Sequence, residues 1–239
     1  MKVTLINPDE AKDLFYWWGM ASKVCYNIET NSPDSIGKGC KYSGHFSGSR
    51  SQYILFQIDD CPRFTIDQAV RHEIGVMKNV QSFRYVGKNS FAYEVPSEIV
   101  DNKELLAEYH NHMMNTIELY EKIQNYVYDK TMSHERANEQ ARYVLPMATH
   151  SSFIFGMTVE ALIHFCNMRL CVRTEDVHRK LAALVKEAVI EILPELKSDL
   201  VPNCQAMLWC PEGKKSCGAY PTKKELKEKI NALKGDLNE

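Results

Sequence analysis

Arginine is the residue type in this chain with the most chemistry to offer. Arg71 and Arg84 flank a segment that holds His72, Asn79, Gln81 and Ser82, and Gln68 stands just upstream. Arg142 follows in ARYVLP and Arg169 in HFCNMRL. A guanidinium binds phosphate through paired, charge-assisted hydrogen bonds. A serine hydroxyl beside it adds one neutral donor. QSFRYV, with Ser82 and Arg84 two apart, therefore suits a phosphate cradle. The plain alternative is a set of surface arginines, and spacing alone does not decide between the two.

Nucleophilic and metal arrangements fare worse. No G-x-S-x-G elbow and no Walker A loop occur. Cys61-Pro62 has no His or Lys close in sequence and reads as a buried strand-end cysteine. His110 and His112 are two apart on a helix and point to different faces, so they make poor joint ligands. His164 sits in an apolar helix and reads as a core residue; His178 precedes Arg179 and reads as exposed. Cys204, Cys210 and Cys217 lie in PNCQAMLWCPEGKKSCG without any C-x-x-C pair. That stretch reads as a cysteine-rich turn region around Pro211, Gly213 and Gly218, with a metal site as the other reading.

Bulk composition narrows the function class. The 239 residues carry 29 Lys+Arg against 31 Asp+Glu, a net charge of -2. A general nucleic-acid binder needs a clear basic excess, so no nucleic-acid partner is expected. A local pocket built from a few arginines remains compatible with that balance. No run of about 18 apolar residues exists, which rules out a helical membrane span. MKVTLINPDEAKD lacks a signal-peptide core, so the expected compartment is the cytoplasm, where eight cysteines form no disulfide framework.

The elements that must position these residues follow from periodicity. MKVTLI reads as a strand, and Pro8-Asp9 open a helix to about Cys25. Residues 30 to 50, rich in Ser, Gly, Asp and Asn, read as a loop. Gln52–Asp59 reads as a strand, Phe64 to about Lys78 as a helix, and Phe91–Val95 as a strand. Lys103 to about Asp129 is the longest helix, with Leu106, Tyr109, Met113, Ile117, Tyr120 and Val127 at helical spacing. Glu135–Tyr143 is a further helix that ends before Pro146. Thr158–Leu170 and Glu175–Leu193 are two more, the second burying Val177, Leu181, Leu184 and Ala188. Thr222–Glu239 is a charged amphipathic helix. The expected class is α+β, a small antiparallel or mixed sheet with several long helices. The expected organisation is one domain over residues 1–220 and an appended helix over 221–239.

Taken together, these segments resemble the flavin-dependent thymidylate synthases. The resemblance spans roughly residues 15 to 218 and rests on an ordered set of motifs: ASKVCY at 21–26, GHFS at 44–47, FQIDDCPR at 56–63, QAVRH at 68–72, NVQSFRYV at 79–86, ARYVLP at 141–146 and HFCNMRLC at 164–171. CPEGKKSCG near the end looks like a tail found in some members. The resemblance implies an α+β homotetramer that binds FAD, dUMP, methylene-tetrahydrofolate and NADPH. The flavin supplies reducing equivalents and the folate supplies the carbon added at uracil C5, with no cysteine nucleophile. By motif, Ser82, Arg84 and Arg142 hold the nucleotide, chiefly its phosphate. Gln68 and Arg71 lie beside them, near nucleotide and flavin. Arg169 faces the uracil and favours ionisation at N3, since a fixed cation stabilises developing negative charge. His72 and His164 contact the flavin, and Asn79 keeps a signature position on the cofactor side.

The departures from the family pattern concentrate on that side. Its Glu-His after G-H-x-S is here Arg50-Ser51, and its Arg-His-Arg is Arg71-His72-Glu73. The step from there to Ser82 is one residue longer, and the family Glu beside the retained Asn is Val80. An Asn-x-Arg pair is Thr158-Val159-Glu160, and an Ala-Gln-x-Glu run is Thr174-Glu175-Asp176-Val177. Each lost charged hydrogen bond is worth about 1.5–3 kcal/mol, so a weakened or altered FAD site is one expectation. A pyrimidine deoxynucleotide C5-hydroxymethylase that dispenses with flavin reduction, and a non-catalytic nucleotide-binding paralogue, are the alternatives. The retained Arg169 speaks against the paralogue, because binding alone needs no cation facing N3.

Overall fold

A computed structural model describes residues 1–29 and 31–236 of the chain. In chain order the elements are β1 (Lys2–Leu5), α1 (Pro8–Lys12), α2 (Leu14–Tyr26), α3 (Pro33–Tyr42), β2 (Ile54–Pro62), α4 (Arg63–Ala69), β3 (Val76–Val80), α5 (Lys103–Thr131), α6 (His134–Ala141), β4 (His150–Met157), α7 (Val159–Arg169), α8 (Asp176–Ile190), α9 (Asn203–Met207) and α10 (Lys223–Asp236). The strands form one four-stranded antiparallel sheet in the order β1-β2-β4-β3. The α+β expectation holds. No helix among the described residues is long and apolar enough to cross a membrane.

The chain divides into two compact units. The first comprises residues 1–2, 57–71 and 78–155; the second comprises 3–56, 72–77 and 156–239. The first unit is dominated by α5. Asn102 caps that helix by accepting the Leu105 N–H at 3.1 Å, and Met132 ends it in the left-handed region at φ 51°. Met113, Thr116 and Tyr120, at helical spacing, are its buried residues. The Tyr120 ring is fully buried and its hydroxyl accepts the Lys88 N–H at 3.0 Å.

In the second unit, α2 and α3 pack with their backbones touching. A Cβ on Gly19 would stand 1.8 Å from the Pro33 carbonyl oxygen, and one on Gly37 would stand 2.1 Å from that of Phe15. Only glycine fits either position. Trp18 is fully buried beside this crossing, and its indole N–H donates to the His45 carbonyl at 3.1 Å.

Several expectations from the sequence need correction. The stretch 30–50 is not a loop. Residues 33–42 form α3 and 46–51 form a 3₁₀ turn, because close backbone packing against α2 rewards the small Gly and Ser residues that otherwise signal a loop. The helix expected to run from Phe64 to about Lys78 stops at Ala69. Gly75 then turns at φ 69°, and the chain leaves as β3, since pairing with β4 satisfies its backbone: Gln81 N–H donates to the Ser152 carbonyl and Thr158 N–H to that of Gly75, both at 2.9 Å. Phe91–Val95 is not a strand; it contributes only an isolated bridge between Tyr93 and Thr149. The helix expected from Pro8 to about Cys25 is divided at Asp13 into α1 and α2, and α9 falls in the stretch expected as a turn region; the other helices lie where expected to within a few residues, and the last three residues of the expected tail helix are outside the described residues.

Gly19→Ala is expected to cost about 3 kcal/mol or more by overpacking and to lower the melting temperature by roughly 6–12 °C. Gly39→Ala, whose Cβ meets nothing within 4 Å, is expected to leave it unchanged or slightly raised. Thermal denaturation followed by circular dichroism compares the two. Equal melting of both variants would mean that the crossing does not depend on backbone contact.

Candidate functional site

The first unit carries the residues that suit phosphate. Ser82 opens a tight turn directly after β3: its carbonyl accepts the Tyr85 and Val86 N–H groups at 3.2 and 3.0 Å, and its hydroxyl accepts the Arg84 N–H at 3.3 Å. Arg142 begins a 3₁₀ turn at the end of α6. Although 60 positions apart in the chain, both line one cavity of about 430 Å³, together with Arg63, Gln81, Phe83 and Pro146. No ion pair of Arg142 occurs among the described residues.

Arg84 behaves differently. It does not line that cavity. Its Nη2 is 2.6 Å from Glu135 and its Nε 3.3 Å from Glu139, both on α6, so two carboxylates face one guanidinium. Glu139 also pairs with Arg136 at 2.6 Å. Gln68 lies on α4, and Arg71, just beyond the end of that helix, is exposed with its N–H on the Gln68 carbonyl at 3.3 Å. Asn79 is an exposed residue of β3.

In the second unit, three predicted residues meet. Arg169, at the end of α7, donates from Nε to His72 Nε2 at 3.0 Å. The His72 ring stands edge-on to His164 at 6.1 Å and to Phe165 at 5.2 Å. His164 is exposed, contrary to its reading as a core histidine.

His178 reverses in the other direction: expected at the surface, it is fully buried. The buried stripe of α8 is His178, Leu181, Ala182, Val185 and Val189, one position on from the expected Val177, Leu184 and Ala188. Packing of the His178 ring beside Phe165 at 5.9 Å favours this rotation. Glu175 fixes the helix start by accepting the Val177 and His178 N–H groups at 3.0 and 2.9 Å. Burial, then the charges of Arg169 and His72, push the His178 pKa down to about 3.

The departures on α7 have a local partner. Glu160 forms an ion pair with Arg50, so two exposed positions that the resemblance marked as departures compensate each other's charge. The hydrogen bond from Arg50 holds the Glu160 carboxyl below its usual range. Cys61 is fully buried in β2, in accord with its reading. Among the described residues, no group of three or more His, Cys, Asp or Glu is placed to hold a metal ion. Arg63 is the cavity residue that the arginine spacing passed over, although it falls inside a motif already singled out, FQIDDCPR.

The low pKa of His178 has a thermodynamic consequence. The group is neutral in the fold and gains a proton in the unfolded chain below about 6.5. Its contribution to stability is complete above that value and is lost as pH falls toward 3. Lowering the pH from 7 to 5 is expected to remove about 2 kcal/mol through this group. His178→Phe should lack that component. Urea denaturation of both proteins at the two pH values measures it, and equal losses would contradict the assignment.

Residues 11–195 match the family model described as thymidylate synthase complementing protein. A flavin-dependent thymidylate synthase of Nitratidesulfovibrio vulgaris is 33% identical over 185 residues, covering 77% of this chain and 75% of that one. One of Clostridium tetani is 31% identical over 224 residues, covering 86% and 89%. In fold, the chain resembles the flavin-dependent thymidylate synthase of Helicobacter pylori solved with FAD and dUMP, at a TM-score of 0.62 and 17% identity, over 84% of this chain and 100% of that one. The family match over residues 11–195 and these relatives show that the chain belongs to the flavin-dependent thymidylate synthase family.

Proposed function

We propose that this chain transfers the one-carbon unit of methylene-tetrahydrofolate to C5 of dUMP, using FAD and NADPH, as a cytoplasmic homotetramer. Residues 1–220 act as the synthase domain and 221–239 as an appended charged helix. The observation that carries the reading is the shared cavity of Ser82 and Arg142, two motif residues from distant segments that together suit a phosphate. In this reading Ser82 and Arg142 bind the 5′-phosphate. Arg84, Gln68 and Arg71 belong to the same substrate group.

Arg169 is the residue assigned to the base. A guanidinium aimed at the uracil stabilises negative charge on the ring and so makes C5 nucleophilic. The hydrogen bond to His72 restrains the guanidinium from its Nε edge, which supports that role. Bound FAD supplies the reducing equivalents that turn the transferred carbon into a methyl group. His72, His164, Arg71 and Asn79 are the residues assigned to hold it. The residues present fit that cofactor: the carboxylate of Glu160, which by itself would repel a diphosphate, is neutralised by Arg50.

The visible absorption spectrum of the purified protein with FAD and dUMP tests the reading. A protein-bound flavin that NADPH bleaches, with dTMP formed when methylene-tetrahydrofolate is added, is the expected result. Formation of hydroxymethyl product, or dUMP binding without flavin at saturating FAD, would overturn it. Arg142→Ala is expected to raise the dUMP Kd about 10–100-fold, the loss of a charged hydrogen-bonding partner. Arg84→Ala should cost less, because two carboxylates compete with the nucleotide for that side chain. Arg169→Lys should lower kcat more than it raises the dUMP Kd, since a point charge cannot reproduce the planar fork. Equal losses in both quantities would reduce Arg169 to an anchor.

A further inference from the structure

A second cation stands with Arg142 in the cavity, and no motif assigns it. Arg63 is the first residue of α4, directly after the end of β2. Its N–H donates to the Thr149 carbonyl at 3.0 Å, which fixes the backbone where the side chain departs. One helical turn on, Asp67 pairs with its Nε at 3.0 Å. The guanidinium carbon lies 5.8 Å from the centre of the Phe83 ring, within the range of cation–π attraction. The head group is thus restrained from two sides, and both restraints belong to the unit that forms the cavity. Because Asp67 engages Nε, the two terminal nitrogens carry the donors that an anionic oxygen accepts.

Charge matching makes the case. A phosphate monoester near neutral pH carries close to two negative charges. Arg142 alone offers one positive charge in the cavity. Arg84 stands two residues from Ser82 but spends its charge on Glu135 and Glu139 and does not line the space. Arg63 does line it.

We propose that Arg63 is a phosphate-binding residue of this site, acting with Arg142 and Ser82 on the 5′-phosphate of the nucleotide and determining the preference for the phosphorylated form. The assignment rests on the reading of the cavity given under Proposed function. Asp67 is then a positioning residue that orients the guanidinium and at the same time weakens its charge. The two residues have opposite effects on affinity, which a purely structural role for Arg63 does not produce.

Calorimetric titration of the full-length protein with dUMP, and in parallel with deoxyuridine, tests this. Arg63→Gln is expected to raise the dUMP Kd about tenfold, the loss of one charged partner, and to leave the deoxyuridine Kd unchanged. Asp67→Asn is expected to lower the dUMP Kd. It keeps the test decisive if Arg63→Gln does not fold. Unchanged dUMP affinity in Arg63→Gln beside a clear loss in Arg142→Gln would overturn the role of Arg63 and leave the cavity reading intact. Unchanged affinity in both variants would overturn the cavity reading and the proposal with it. Equal losses for dUMP and deoxyuridine, or weaker dUMP binding by Asp67→Asn, would overturn the role of Arg63 as a phosphate ligand.

Discussion

The pairing of β3 with β4 is the constraint on which the site residues depend. Its two ends are tied by main-chain bonds, Gln81 to Ser152 and Gly75 to Thr158. These bonds give the polar backbone of residues 75–81 partners that a continued helix would otherwise have supplied. They stop α4 at Ala69 and force the turn that contains Arg71, His72 and Gly75. They also deliver Ser82 into a tight turn at the far end of the strand. The same β4 leads through Thr158 into α7, whose last residue, Arg169, reaches back to His72 at 3.0 Å. A change of register in this pair would move every side chain in it to the opposite face. The motif residues of the QAVRH and NVQSFRYV segments would then lose their surroundings together.

Charge in this chain is distributed by pairing rather than by excess. The net charge is only -2, yet individual arginines meet very different environments. Arg84 faces two carboxylates and Arg63 faces one, whereas Arg142 faces none among the described residues. Arginines of one type within one unit therefore differ in how much charge remains for a ligand. The Arg50–Glu160 pair follows the same logic. A carboxylate where the resemblance implies an arginine looks like an electrostatic defect in isolation. Paired with an arginine from the 46–51 turn, it becomes a neutral contact. The pair is exposed, and its effect is on the local field rather than on stability.

Much of the fold was legible in the sequence because it follows from local rules. The length of α5, expected from Lys103 to about Asp129 and found as Lys103–Thr131, is written in its apolar spacing from Leu106 to Val127. Cys61 reads as buried because it stands at a strand end with no His or Lys close in sequence. The ordered motifs, from ASKVCY to HFCNMRLC, carried the family. Gly37 and Gly39 were misread as loop signals. Their meaning depends on α2 lying against them, and nothing in residues 30–50 states that α2 does so. The stripe of α8 was misread by one position, since Val177 and His178 compete for the same inward slot. The apolar choice lost to the histidine that packs beside Phe165.

The sequence by itself determined the α+β class, the approximate helices and the set of arginines from which the proposed phosphate ligands are drawn. Each of these depends on residues near one another in the chain or on simple counts. Only the tertiary structure decided which arginines share a cavity, which are held by carboxylates, and that His178 lies inside while His164 lies outside. Those outcomes depend on neighbours contributed by distant segments. Glu135 and Glu139 reach Arg84 across about 50 positions, and Ser82 and Arg142 meet across 60. Charge and burial act through space over a few ångströms, and sequence spacing carries no record of that proximity until strand pairing and helix packing bring the segments together.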